Sequence, residues 1–156
     1  IKCYEEVFKG RSERLIVEPG RSISANAGVM LTKIEYKKDS FLITDAAMND
    51  LLRPALYQAK HDVWQVQNND EDLHNYSVVG PICETGDFLA KDVRLSVNEG
   101  DLLAIRTVGA YGFVMSSNYN SRMRSAEILV DKNEFNLIRR RENLLDLTAL
   151  EENLDD

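Results

Sequence analysis

Cysteine, histidine and proline are scarce in this chain, at two, two and three residues of 156, and each scarcity excludes something. Cys3 and Cys83 lie far apart. A lone pair can form a disulfide, but nothing here marks the cysteine-dense framework of a small secreted scaffold. His61 and His74 have no metal-ligand spacing to each other or to either cysteine. They read as ordinary residues, His74 in an acidic loop and His61 beside a strand, and no metal is expected. Asp70-Glu71-Asp72 lacks the alternating ligands and glycine of a calcium loop. There is no basic excess: 19 Lys and Arg face 26 Asp and Glu, for a formal charge of -7. That argues against a nucleic-acid partner, which needs a basic face for phosphate. The basic runs at 122–124 and 139–141 read as solvated strand ends. Apolar runs are short and broken by charge, so nothing is expected to span a membrane. The chain opens at Ile1 in what reads as the middle of a helix. The expectation is that the true N-terminus, with any targeting segment, lies outside it.

What is present is globular. The chain is 44% hydrophobic and 29% charged, enough for one ordinary core and unlike a disordered chain. Ile1, Tyr4 and Phe8 recur at helical spacing, and Gly10 suits a helix stop. Leu15-Ile16-Val17 reads as a buried strand ending at the Pro19-Gly20 turn. Strands are expected at 29–36 and 41–44. A short helix capped by Asn49 or Asp50 should run through Pro54 to about Ala59. Alternation returns at 61–66, a polar loop covers 67–75, and further strands follow at 77–79, 88–95, 102–107, 126–130 and 133–140. A helix-like tail spans 146–154. Short strands at this spacing give a mostly β chain, an antiparallel sandwich or barrel. A helix and strand before it look like the end of something else.

Four clusters carry chemistry. Glu18-Pro19-Gly20-Arg21 follows an apolar run. A glycine turn exposes backbone N–H groups that hold anions, and Arg21 adds a cation, although such a tetrapeptide alone also reads as a plain turn. In a helix, Arg53 and Tyr57 share a face, suited to a carboxylate or to a surface Arg over a half-buried Tyr. Cys83 sits in Gly80-Pro81-Ile82-Cys83-Glu84-Thr85-Gly86-Asp87, where a loop thiol can be a nucleophile or proton donor, or an inert buried group. Tyr111 stands within Gly109-Ala110-Tyr111-Gly112, where small neighbours would let it approach a ligand closely or simply pack on its sheet.

In order and wording these clusters resemble the diaminopimelate decarboxylases, of the alanine-racemase-like, fold-type III class of pyridoxal-phosphate enzymes. The matching text also includes Asp45-Ala46-Ala47-Met48-Asn49-Asp50-Leu51-Leu52-Arg53-Pro54-Ala55-Leu56-Tyr57 and Met115-Ser116-Ser117-Asn118-Tyr119-Asn120-Ser121-Arg122. It extends over essentially the whole chain. The resemblance implies a (β/α)8 barrel followed by a C-terminal β domain, with residues 1–27 the end of that barrel and 28–156 the β domain. It implies the cofactor pyridoxal 5'-phosphate, with Glu18, Pro19, Gly20, Arg21 and Tyr111 at the cofactor. The implied reaction converts meso-diaminopimelate to L-lysine and carbon dioxide. Arg21, Arg53 and Tyr57 would bind the distal carboxylate, with Tyr111 also at the substrate. Glu84 would bind the distal ammonium, and Cys83 would donate the proton.

The resemblance further implies a cytoplasmic homodimer whose active sites are shared, Cys83 and Glu84 acting in the partner's site. In the cytoplasm the sequon at Asn75 carries no meaning. The cofactor lysine is expected outside these residues, so the 156-residue piece alone is expected to be inactive. The rival readings are a related decarboxylase of ornithine, arginine or carboxynorspermidine, and, for the isolated piece, a non-catalytic β module. A diamine-forming enzyme has no distal carboxylate for Arg21 and Arg53 to meet.

Overall fold

The computed structural model describes residues 2–69 and 72–152. Strands β1 (Val29–Lys38), β2 (Phe41–Thr44), β3 (Val63–Gln65), β4 (His74–Val79), β5 (Phe88–Leu95) and β6 (Leu102–Arg106) make one six-stranded sheet in the order β3-β6-β1-β2-β4-β5. Its strands lie close to the ranges the sequence predicts, except that β4 begins at His74, which pairs with Leu95 instead of lying in the expected acidic loop. In β1 the side chains of Thr32 and Ile34 are buried while Lys33 and Glu35 are exposed, the period of two that one covered face demands. Asp39, in the left-handed region at φ 51, turns the β1–β2 hairpin. The sheet curls so that its two ends approach, and the Ser96 N–H beyond β5 donates to Oε1 of Gln65 on β3 at 2.9 Å. The result is a nearly closed barrel around Ile34, Leu42, Leu51, Val78, Leu89, Leu103 and Ile105.

Four expectations need correction. The sheet is not wholly antiparallel: β2 and β4 pair in parallel, Phe41 opposite Ser77. The intervening chain, with helix α2 (Arg53–Tyr57) and β3, is long enough for the crossover a parallel pair requires. Leu15-Ile16-Val17 forms no strand and is exposed, Ile16 at 77%; a strand needs a ladder partner, and none of the described residues offers one. Helix α2 has Leu52, not Asn49 or Asp50, at its N-cap, with no side-chain cap bond. The tail helix α3 is Leu144–Leu147, starting two residues early because Asn143 caps it, accepting from the Leu145 N–H at 2.9 Å. Arg140 bonds both carboxylate oxygens of Asp146 and holds that group down at about 2. Residues 153–156 of the expected tail, and Asp70 and Glu71 of the acidic loop, lie outside the described residues. Helix α1 (Lys2–Val7) is followed by Gly10 at φ 81, as a helix stop should be. A hairpin of β7 (Glu127–Asp131) and β8 (Glu134–Arg139) stands apart from the main sheet.

Asn49 and Asp50 are drawn away from capping because the turn at 45–50 is a junction. Asp45 accepts from Thr32 Oγ1 at 2.6 Å and the Lys33 N–H at 2.9 Å, and Asp50 accepts from the Ala47 N–H at 2.9 Å. Asn49 is buried; its amide donates to the Ser117 carbonyl at 3.3 Å and its oxygen accepts from Arg122 Nε at 2.9 Å. Asp87, 3% exposed, reaches in from the far end of the Cys83 loop. Its two oxygens accept the Met48 N–H at 2.7 Å and the Ile82 N–H at 2.8 Å. Gly80 is obligatory beside it, since a Cβ there would lie 2.4 Å from the Asp87 carboxylate and 2.5 Å from the Ala47 methyl. Burial raises the Asp87 pKa despite these bonds.

Two consequences are measurable. Asp87→Ala leaves two buried N–H groups unmatched, so it should destabilise by about 2–5 kcal/mol, and Asp87→Asn, which keeps one acceptor, by about 1–3 kcal/mol. Because the folded carboxyl titrates above its unfolded value, its contribution to stability is greatest in acid and falls as pH rises through the folded value. The gap between wild type and Asp87→Asn should therefore widen on mild acidification. Denaturant midpoints at several pH values read both effects.

Candidate active site

Gly20 turns the Glu18–Arg21 segment at φ 56, and the Ser22 N–H closes the turn on the Pro19 carbonyl at 3.1 Å. The turn delivers Arg21 to the loop after β6, where its two terminal nitrogens donate to the carbonyls of Thr107 and Ala110, each at 2.7 Å. That loop is strained. Thr107 and Tyr111 both sit at φ 59, unfavourable for side chains with a Cβ and of the order of 1 kcal/mol or more each. Gly109 explains how the strain is held. A Cβ there would lie 2.1 Å from the Ser24 carbonyl, and the Gly109 N–H donates to the Ala25 carbonyl at 3.0 Å. Gly112 likewise has no room, with the Val108 carbonyl 2.2 Å from its Cβ position. The two glycines thus serve close backbone packing, whereas Tyr111 itself is exposed.

Desolvation, and after it the positive charge of Arg53, lowers the Arg21 pKa, while Tyr111 acts in the opposite sense. Two neighbouring guanidiniums of like charge favour an anion between them. Arg53 lies over the Tyr57 ring at 5.7 Å, on the shared helix face that the spacing predicts, and Tyr57 is 60% exposed. His61 belongs to this group too: buried, it interacts with the charges of both arginines.

Cys83 and Glu84 form a second group. Their loop is pinned at both ends by Asp87 and closed within by the Glu84 N–H on Ile82 O at 2.8 Å and the Asp87 N–H on Glu84 O at 3.1 Å. Cys83 is an exposed free thiol, so of the readings of this cysteine the buried inert one fails. The Tyr119 hydroxyl donates a short hydrogen bond to Glu84 Oε1, and that bond raises the Tyr119 pKa. Tyr119 is delivered by the segment that Asn49 and Arg122 tie to the 45–50 turn. The basic run there is not simply solvated: Arg122 also donates to the Asp45 carbonyl, and Arg124 bonds Ser116 Oγ at 2.8 Å and Phe113 O at 3.0 Å. Arg139 and Arg140 remain exposed but pair with Glu127 and Asp146.

Arg21, Arg53, Tyr57 and Tyr111 thus form one group and Cys83 and Glu84 another. The loops are neighbours, Ala55 lying 4.0 Å from a Cβ built on Gly86. Among the described residues, however, no hydrogen bond or ion pair joins the two groups. Asp87, Tyr119, Asn49, Arg122 and His61 are the participants that motif reading misses. All but His61 fall inside matched stretches, but their roles depend on segments far apart in sequence.

The family described as "Pyridoxal-dependent decarboxylase, C-terminal sheet domain" matches residues 7–109. The chain belongs to this family. Its curated relatives include a diaminopimelate decarboxylase of Pseudomonas aeruginosa, 58% identical over 153 residues, which are 96% of this chain and 37% of that protein. One of Vibrio cholerae is 55% identical over 151 residues, 94% of this chain and 36% of that one. The crystal structure of diaminopimelate decarboxylase from Helicobacter pylori complexed with L-lysine superposes with a TM-score of 0.85 at 43% identity, covering 94% of this chain and 37% of that one. The chain thus spans little more than a third of the length of the family members it matches.

The glycine reading of the Tyr111 loop has a direct check. Gly109→Ala forces backbone apart at a 2.1 Å contact and should lower the melting temperature by several degrees, loosening Tyr111 and the carbonyls that hold Arg21. Gly86→Ala, with its nearest neighbour 4.0 Å away, should be close to neutral in the same melts.

Proposed function

We propose that this chain is the C-terminal part of a pyridoxal-phosphate-dependent diaminopimelate decarboxylase, which converts meso-diaminopimelate to L-lysine and carbon dioxide. Residues 1–27 are read as the end of its barrel and 28–156 as its sheet domain. The observation that carries the reading is the neighbouring pair Arg21 and Arg53, beside Tyr57, set against an exposed thiol and carboxylate at Cys83 and Glu84. The substrate has an amino acid group at each end. Two guanidiniums and a phenol suit the distal carboxylate, because the planar fork of arginine matches a carboxylate in two parallel bonds. Glu84 suits the distal ammonium. A decarboxylase of a simple diamino acid has no second carboxylate to occupy this pair.

Pyridoxal phosphate, when bound, supplies the electron sink for loss of carbon dioxide. Its phosphate would lie at the turn of Glu18, Pro19 and Gly20, where there is open space, with no atom within 4 Å of a Cβ built on Gly20, and where Arg21 follows to supply positive charge. Tyr111 would join it there, since Arg21 donates to the carbonyl of the adjacent Ala110. Cys83 Sγ is read as the group that holds a proton and delivers it to the carbon that has lost carbon dioxide. Since the arginine group and the Cys83–Glu84 group are each incomplete alone, we read the enzyme as a homodimer with shared sites. Its location is proposed to be the cytoplasm; no helix of the described residues is long and apolar enough to cross a membrane.

Steady-state kinetics of the whole enzyme on meso-diaminopimelate test this. Cys83→Ala should lower kcat by ~10²–10⁴-fold, the range for a general acid, with a small change in KM. A normal kcat with only a raised KM would rule out the proton-donor role.

A further inference from the structure

His61 precedes β3 and is one of few polar side chains in the interior, 6% exposed. Its Nδ1 lies 2.9 Å from the Arg106 carbonyl oxygen. A carbonyl only accepts, so Nδ1 carries the hydrogen and Nε2 is left as a bare acceptor. The Thr107 hydroxyl, 3.3 Å from Nδ1, already donates to the same carbonyl at 2.7 Å and does not alter that assignment. Nε2 is buried and has no hydrogen-bond partner among the described residues. The Nε of Arg53 is in the complementary condition, buried and without a partner, and it can only donate. Burial keeps the imidazole neutral against the opposing pull of the Arg106 bond, and the charges of Arg21 and Arg53 act on the ring in the same sense as burial, so the two side chains are within electrostatic reach. Asp62 opposes them weakly. An unmatched buried donor and an unmatched buried acceptor in one neighbourhood are each unfavourable alone and relieve each other when joined.

We propose that His61 is a positioning residue for Arg53: its bare Nε2 accepts a hydrogen bond relayed from Arg53 Nε through one water, and turns the terminal fork of that guanidinium toward the substrate carboxylate. A guanidinium held by its Nε edge presents both terminal nitrogens outward, the arrangement a two-point carboxylate clamp needs. The inference rests on the carboxylate-binding reading of Arg53 given above and adds the residue that orients it.

Two amide substitutions divide the roles of the ring. His61→Asn keeps a short donor toward the Arg106 carbonyl but has no atom at the Nε2 position. His61→Gln places an acceptor near the Nε2 position and gives up the short donor. In the whole enzyme, His61→Asn should raise KM for meso-diaminopimelate on the order of tenfold, as loss of one bond to a charged group does, with kcat within about twofold. His61→Gln should restore most of that loss, and His61→Asn should add little to Arg53→Ala.

A normal KM in His61→Asn while Arg53→Ala is impaired overturns the inference. So does equal impairment of the Asn and Gln variants in step with lost thermal stability, because that is a packing role. A normal KM in Arg53→Ala overturns the carboxylate reading itself. If His61→Asn does not fold, ¹⁵N spectra of histidine-labelled wild-type enzyme decide, the His61 signal being the one lost in His61→Gln. An unprotonated Nε2 whose resonance moves in Arg53→Ala supports the inference; a protonated Nε2, or one indifferent to Arg53, overturns it.

Discussion

A carboxylate buried between two backbone N–H groups organises this molecule. Asp87 joins Ile82, at the root of the Cys83 loop, to Met48 in the 45–50 turn. Burying a charge is unfavourable unless it is well bonded. The upward shift of this carboxyl shows that the two bonds do not wholly offset the loss of hydration. What the arrangement gains is geometry. The same turn receives Asn49–Ser117 and Arg122 bonds from the segment bearing Tyr119, whose hydroxyl meets Glu84. Three stretches remote in sequence are thereby fixed against one another, and the thiol and carboxylate stand exposed on a loop that is itself anchored.

The opposite group is held by different means. Arg21 is clamped on two carbonyls of a loop whose backbone is locally strained, and that strain is maintained by glycines packed against Ser24 and Val108. Strain sustained in this way is a feature of sites where a ligand or charge must be met in one conformation. Arg53 comes from a short helix with no side-chain cap, so its orientation depends on what its guanidinium touches more than on the helix.

Much of this was legible in the sequence, and the failures are instructive. Partial alternation located β1, and short apolar runs bounded by turn residues located β2, β5 and β6, because both patterns are local. The parallel β2–β4 pair was not legible, since strand direction within a sheet depends on the route of the connection. Leu15-Ile16-Val17 has the composition of a buried strand, but burial requires a neighbour, which no run of three residues specifies. Asn49 looked like a cap because caps and junctions use the same short amide chemistry. The sequence left open whether Tyr111 meets a ligand or packs on its sheet; its neighbouring glycines answer to backbone contacts instead, Gly109 with Ser24, remote in sequence, and Gly112 with nearby Val108. His61 gave no signal at all: a histidine beside a strand is ordinary until the two arginines are placed near it.

The central claim is that the arginine group and the Cys83–Glu84 group complete each other across a homodimer. Mixing two impaired whole-enzyme variants tests it most directly, one carrying Cys83→Ala and the other Arg53→Ala. If sites are shared, each mixed dimer holds one site with both lesions and one site with neither. Activity should then rise well above either parent, toward half of the wild-type value per mixed dimer. If mixed dimers form, as separation by distinct affinity tags would show, and their activity stays at the level of the parents, the two groups serve the same subunit and the shared-site account is wrong.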